Sequence, residues 1–125
     1  MNRLYVLTRN DLGLAYQAVQ GAHAVAQFMM EYPGHEWKNG YLIFLAVENQ
    51  AELEEWYFKF LVENADRPKF TNPIAFTKFN ESDLNDEMTS IAIYTKGSRF
   101  KKLSMMQPTV AEFSYGSNDG GTMIN

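Results

Sequence analysis

The sequence predicts a single α/β domain over residues 1–108, built as a mixed four-stranded sheet flanked by helices, with a flexible tail at 109–125. Three observations lead there. Short β-prone runs alternate with two segments whose apolar residues recur every three or four positions, the order that builds layered α/β folds. The first two β-prone runs are apolar on both faces, as strands in the middle of a sheet are. Of the 125 residues, 46% are hydrophobic and 14% aromatic, which is enough to fill a core.

Residues 3–8 (Arg-Leu-Tyr-Val-Leu-Thr) form the expected first strand, buried and central. Asn10, Asp11, Leu12 and Gly13 then supply turn and helix-start chemistry. From Leu14 to about Glu31, the residues Leu14, Ala18, Ala22, Val25, Ala26 and Met29 recur at helical steps and predict the packed face of a first helix. Its small residues, Ala15, Ala18, Gly21, Ala22, Ala24 and Ala26, suit a close approach to a sheet or another helix, and Pro33 and Gly34 end it. Residues 40–47, the most apolar stretch, predict the second strand. Asn49 stands three before Glu52, a capping box that opens a second helix over 50–64 with Leu53, Trp56, Tyr57, Phe60 and Leu61 on its face. Phe58 falls off that face and reads as a lone exposed aromatic or as the contact of a homodimer. Residues 73–79 predict a third strand at the sheet edge, because Pro73 opens it. An acidic, Asn-rich loop over 80–87 leads to a fourth strand at 89–95, where Ile91 and Ile93 alternate with Ala92 and Tyr94. Past Pro108 periodicity is lost, and 116–121 reads as a flexible end.

Composition narrows the chemistry. The chain has no cysteine, which excludes a disulfide scaffold, a thiolate nucleophile and a cysteine zinc site. His23 and His35 are the two histidines, too few for an all-histidine metal centre, so no metal is expected. No phosphate loop, dinucleotide glycine fingerprint, nucleophile elbow or paired-histidine helix motif occurs, and no cofactor is expected. No apolar run approaches the ~20 residues that span a bilayer, and the opening residues run straight into a strand without a signal peptide, so the expected location is the cytoplasm, with no membrane partner. A net charge of −4 argues against a general nucleic-acid coat. Lys96, Arg99, Lys101 and Lys102 nevertheless fall within seven positions, as a local anion-binding surface or a solvated basic turn.

Two constellations bear on function. Tyr16, Gln20, His23 and Gln27 follow one another at steps of four, three and four, so they share one stripe of the first helix. A solvated polar face has the same pattern, but this helix starts directly after the first strand, at the carboxyl edge where α/β proteins commonly bind ligands. Asn10, Asp11 and Tyr16 lie near that mouth, with His23 about two turns further in. The second constellation is residues 83–89 (Asp-Leu-Asn-Asp-Glu-Met-Thr), a polar loop feeding a buried strand, with Asn85, Asp86 and Thr89 as candidates. Its plain alternative is a turn followed by a strand-entry threonine.

Both constellations resemble motifs of the type 2 peptidyl-tRNA hydrolases. In that family a strand ends in Arg-x-Asp-Leu-Gly, and the next helix carries Ala-Ala-Gln-Cys-x-His-Ala. Here Arg9, Asp11, Leu12 and Gly13 end the strand, and residues 18–24 read Ala-Val-Gln-Gly-Ala-His-Ala. Looser similarity reaches Thr89, Ser90, Ile91 and Ala92, where the family has Asp-x-Gly-x-Thr-Gln-Ile-Ala, and covers about four-fifths of the chain. The resemblance implies a mixed four-stranded sheet with helices and metal-free hydrolysis of the ester joining peptide to tRNA. His23 and Thr89 carry over directly. The family lysine is replaced by Tyr16, the family aspartate position holds Asn85 with Asp86 beside it, and the gap from the Asp-Leu-Gly turn to His23 is two residues shorter. Short relatives with such an altered helix resemble phage and mobile-element proteins, which implies a viral source acting in a host cytoplasm.

Three readings stay open. In the first, a peptidyl-tRNA esterase uses His23, Thr89, Asp86 and Tyr16 as catalytic groups, with Asn10, Asp11, Gln20, Asn85, Lys96 and Arg99 binding the tRNA 3′ end. In the second, a repurposed relative sequesters or cleaves a small nucleotide, such as a cyclic-dinucleotide immune signal, as an anti-defence protein. In the third, a non-catalytic interaction protein uses Phe58 and the segment at Met105 and Met106 as its contact surface.

Overall fold

The computed structural model describes residues 1–106; the tail expected from 109 onward lies outside the described residues. The elements run β1 (Asn2–Arg9), α1 (Leu14–Glu31), β2 (Leu42–Val47), α2 (Gln50–Ala65), β3 (Phe76–Glu81), β4 (Glu87–Lys96) and β5 (Ser104–Met105), with 3-10 turns at Ser82–Leu84 and Gly97–Phe100. They form one mixed α/β domain whose sheet has the order β3-β4-β1-β2-β5. β1 and β2 are parallel, and β4 runs antiparallel to both β1 and β3. The sheet therefore has five strands where the sequence suggested four. The added one, β5, is two residues long and pairs Leu45 with Met105 and Ala46 with Ser104. A run that short has no alternation to detect, but it covers the otherwise open edge of β2.

The two helices cover opposite faces of the sheet. Alternation along β1 sends Leu4 and Val6 into a cluster with Ala24, Phe28 and Ala92 under α1. Tyr5 and Leu7 go to the other face, into a cluster with Leu53, Phe60, Phe76, Ile91 and Ile93 under α2. Fully burying side chains such as Phe28 and Phe60 contributes roughly 1.5–3 kcal/mol each. The capping box forms as spaced: Asn49 Oδ1 accepts from Glu52 N at 3.0 Å, and Glu52 Oε1 accepts from Glu48 N at 2.7 Å. On α2, Leu61 is exposed rather than packed, and Phe58 is 65% exposed.

The packed face of α1 is rotated from the expected one. Gln17, Gln20, Gly21, Ala24 and Phe28 are buried, while Ala18, Ala22, Ala26 and Met29 face outward. Alanine suits either environment, so its spacing did not identify the inward face. Shape and hydrogen bonding decide it. Gly21 lies so close to the Phe44 ring of β2 that a Cβ there would collide with it, and the two glutamines meet polar side chains on the sheet.

Because β1, β2 and β3 run the same way and β4 the opposite way, Arg9, Val47, Glu81 and Glu87 gather at one end of the sheet.

Candidate functional site

Two buried glutamines fasten α1 to the sheet. Gln17 Oε1 accepts from the Thr8 hydroxyl at 2.9 Å, and its amide donates to Leu12 O at 2.7 Å. One turn on, Gln20 Oε1 accepts from the Thr89 hydroxyl at 2.5 Å while its amide donates to Glu81 Oε1 at 2.8 Å. Ser90 Oγ donates to the Gln20 carbonyl at 2.7 Å. Thr89 and Ser90 are fully buried and Gln20 is 1% exposed, so every polar group in this network needs its partner. Thr89, expected as a catalytic group, is sealed under α1 with its hydroxyl committed to Gln20. Its hydroxyl positions Gln20 and through it Glu81.

His23 and Tyr16 lie at the surface of this network. His23 is exposed and stacks on Phe79 with ring centroids 4.5 Å apart and planes 10° from parallel, so one imidazole face is covered. Phe79 and Glu81 are on the same side of β3 by strand alternation. Glu81 accepts from Gln20 and from the Asp83 backbone N–H at 3.1 Å. The Gln20 hydrogen bond, first, and then the Asp83 N–H hold the Glu81 carboxyl below its usual range, and positive charge on His23 adds to the effect. Tyr16 is half-buried; desolvation, followed by the charges of Glu81 and Asp83, pushes its phenol up, so it stays a neutral proton donor. The constellation is a surface imidazole beside an ionised carboxylate, a phenol near that carboxylate, and a buried amide that fixes the carboxylate.

Arg9 closes the end of the sheet. Its guanidinium makes a bidentate pair with Asp11 at 3.0 and 2.8 Å, reaches Glu87 Oε1 at 2.8 Å, and donates to Met88 O at 3.2 Å. Arg9 is thereby held well above the usual range, chiefly by the Asp11 hydrogen bonds, and Asp11 is lowered in turn by Arg9. Asp11, expected to bind ligand, is occupied in holding the Arg9 guanidinium, which in turn joins β1 to β4 through Glu87 and Met88. Asn85 and Asp86 sit on the exposed β3–β4 turn in left-handed conformations, with φ of 54° and 60°. That geometry explains the Asn-Asp pair, since both side chains tolerate the left-handed region better than most.

The remaining expected contacts lie elsewhere. Asn10 lines an open groove of about 930 Å³ with Glu48, Asn49, Glu55 and Lys102, which none of the His23 group enters. Lys96 pairs with Asn2 at the opposite end of β4 from Thr89, roughly 20 Å away along the strand. Arg99 follows Lys96 and is bound to Glu63 at 2.6 Å and Thr95 at 3.2 Å. The density of these cations in sequence points to a single site, but an antiparallel strand carries them away from it. Glu81 is the residue sequence reading missed. Its signal was alternation from Phe79, lost because the third strand was expected to stop at 79. Among the described residues, no cluster of three or more His, Asp or Glu is arranged to hold a metal ion, and no helix is long and apolar enough to cross a membrane.

The fold defines a three-layer α/β/α domain with its polar centre on the α1 face. No protein-family model matches the chain, and no curated protein matches it. Among solved structures, it is similar to a protein of unknown function from Agrobacterium tumefaciens strain C58, with a TM-score of 0.58 and 11% identity over 85% of this chain and 98% of that one. At that identity the likeness speaks for the shared fold alone.

Proposed function

We propose that the chain is an ester hydrolase of the type 2 peptidyl-tRNA hydrolase kind, with His23 as general base and Glu81 as its electrostatic partner. One observation carries the reading: Gln20 on α1 joins Thr89 of β4 and Glu81 of β3 through a continuous hydrogen-bonded relay, and Glu81 stands two residues along β3 from Phe79, the ring on which His23 stacks. In the reaction, His23 takes a proton from water, and the resulting hydroxide attacks the ester carbonyl. The ribose oxygen leaves with the bonding pair and recovers the proton from the imidazolium, which Glu81 stabilises while it exists. Tyr16 donates a hydrogen bond to the developing oxyanion but brings no full charge, so turnover is expected to be slow relative to a site carrying lysine there.

The test is hydrolysis of peptidyl-tRNA by the wild type, His23→Ala, Glu81→Gln and Tyr16→Lys. Loss with His23→Ala, a drop with Glu81→Gln and a gain with Tyr16→Lys support the reading; turnover indifferent to His23 refutes it. A second reading, binding or cleavage of a small nucleotide at the same centre, is favoured by one observation: Lys96 and Arg99 lie at the far end of the sheet, which leaves the His23 centre without the cationic track a tRNA requires. A cyclic-dinucleotide panel assayed with the same variants separates the two.

A further inference from the structure

The expected cations that leave the His23 site line a second cavity. At the amino end of β1, about 890 Å³ of space is walled by His35, Arg67, Asn72, Tyr94, Lys96 and Arg99, among others. The volume falls within the ~300–1,000 Å³ typical of small-molecule sites. Three cations meet here in a protein of net charge −4. Arg99 is largely answered by Glu63. Arg67 and Lys96 have no ion-pair partner among the described residues, and Arg67 Nε is buried without a hydrogen bond. A buried, unpaired guanidinium N–H is costly unless something outside the chain accepts from it.

The aromatic wall adds a second chemistry. His35 and Tyr94 meet edge to face at 4.6 Å and 79°, and Tyr94 is fixed by its hydroxyl donating to Glu36 Oε2 at 2.7 Å. His35 Nδ1 accepts the Trp37 backbone N–H at 2.9 Å, so in the neutral ring the proton sits on Nε2, where it can be donated. Cations for a phosphate beside rings for a flat group are the two halves of nucleotide recognition. Glu36, which lines the cavity beside Tyr94, and Glu63, paired with Arg99, interrupt any extended basic track, which favours a small ligand over a nucleic-acid chain.

We propose that this cavity binds a small phosphate ester bearing a planar ring, of nucleoside monophosphate size, with Arg67 and Lys96 on the phosphate and His35 and Tyr94 against the ring. The site is separate from the His23 centre and stands whether or not that centre hydrolyses esters. His35 and His23 are the two histidines of the chain, so their ring signals report the two sites individually by NMR.

The full chain is titrated with adenosine monophosphate, inorganic phosphate and adenosine at millimolar concentrations. Adenosine monophosphate should shift His35 and leave His23 in place, and should bind more tightly than either fragment. Lys96→Gln, an exposed position, and Arg67→Gln should each weaken it roughly tenfold, the loss of one charge-assisted hydrogen bond. His23→Ala should bind as the wild type does. The proposal is overturned if His35 does not respond, if inorganic phosphate binds as tightly as the nucleotide, if Lys96→Gln has no effect, or if His23→Ala abolishes binding. It is also overturned if a single-stranded RNA displaces the nucleotide at lower concentration than the nucleotide itself binds.

Discussion

Replacing Gln20 by Leu tests the relay that the functional reading rests on. The change deletes two side-chain hydrogen bonds, one to the Thr89 hydroxyl and one to the Glu81 carboxylate. Thr89 is fully buried, and its one remaining acceptor is Phe79 O at 3.4 Å, so its hydroxyl is left close to unsatisfied. An unsatisfied buried hydroxyl costs ~1–3 kcal/mol, offset in part by the apolar burial of the new side chain. Gln20→Leu should therefore destabilise by about 2 kcal/mol, and Thr89→Val by about 1–2 kcal/mol because Gln20 Oε1 loses its donor. The double variant removes both partners at once and should lose about 1 kcal/mol less than the sum. Urea unfolding at constant slope gives each value, and a melting shift of about 4 °C per kcal/mol is the thermal counterpart for a chain of this size. Glu81 supplies an independent readout. Its carboxyl is lowered chiefly by Gln20, so it contributes stability above its usual value of 4.5 that is lost as pH falls through the lower folded value. In Gln20→Leu its titration should move back up, and the deficit against wild type should narrow in acid. Additive losses together with an unchanged Glu81 titration would refute the relay.

Asp11→Asn should flatten the acid limb of stability: Asp11 is held below its usual 3.8 by Arg9, so the pair stabilises above that value and fails as pH drops through the folded one, which thermal unfolding across the acid range reads directly. Gly21→Ala should cost about 1 kcal/mol net, because overpacking against Phe44 (~1–3 kcal/mol) outweighs the ~1 kcal/mol gained in helix propensity, and Phe44→Leu in the same chain should restore the unfolding midpoint. Asp86→Gly should hold or raise the midpoint by relieving the left-handed residue, while Asp86→Val should lower it by ~1–3 kcal/mol; loss of hydrolysis in a stable Asp86→Gly protein would give Asp86 a chemical role.

Elements that depend on neighbours in sequence could be read before the structure. The bounds of α1 follow from its period and from Pro33 and Gly34, the start of α2 from the Asn49 and Glu52 box, and the centrality of β1 from apolar residues on both its faces. The polar stripe containing Gln20 and His23 was also visible, because a helix repeats its faces within a few residues.

What tertiary structure alone decided is which side of each stripe meets what. Alanine and glutamine carry little preference by themselves, so the inward face of α1 was set by Phe44 against Gly21 and by Thr8 and Thr89 against the two glutamines. Strand direction did the rest. β4 runs antiparallel to β1 and so brings Thr89 under α1, 69 residues from Gln20, while it carries Lys96 to the opposite end of the sheet. Composition and spacing describe residues that are near in sequence; the partners of Gln20, His23 and Lys96 are chosen by how distant strands pair, and pairing is settled only when the whole sheet is assembled.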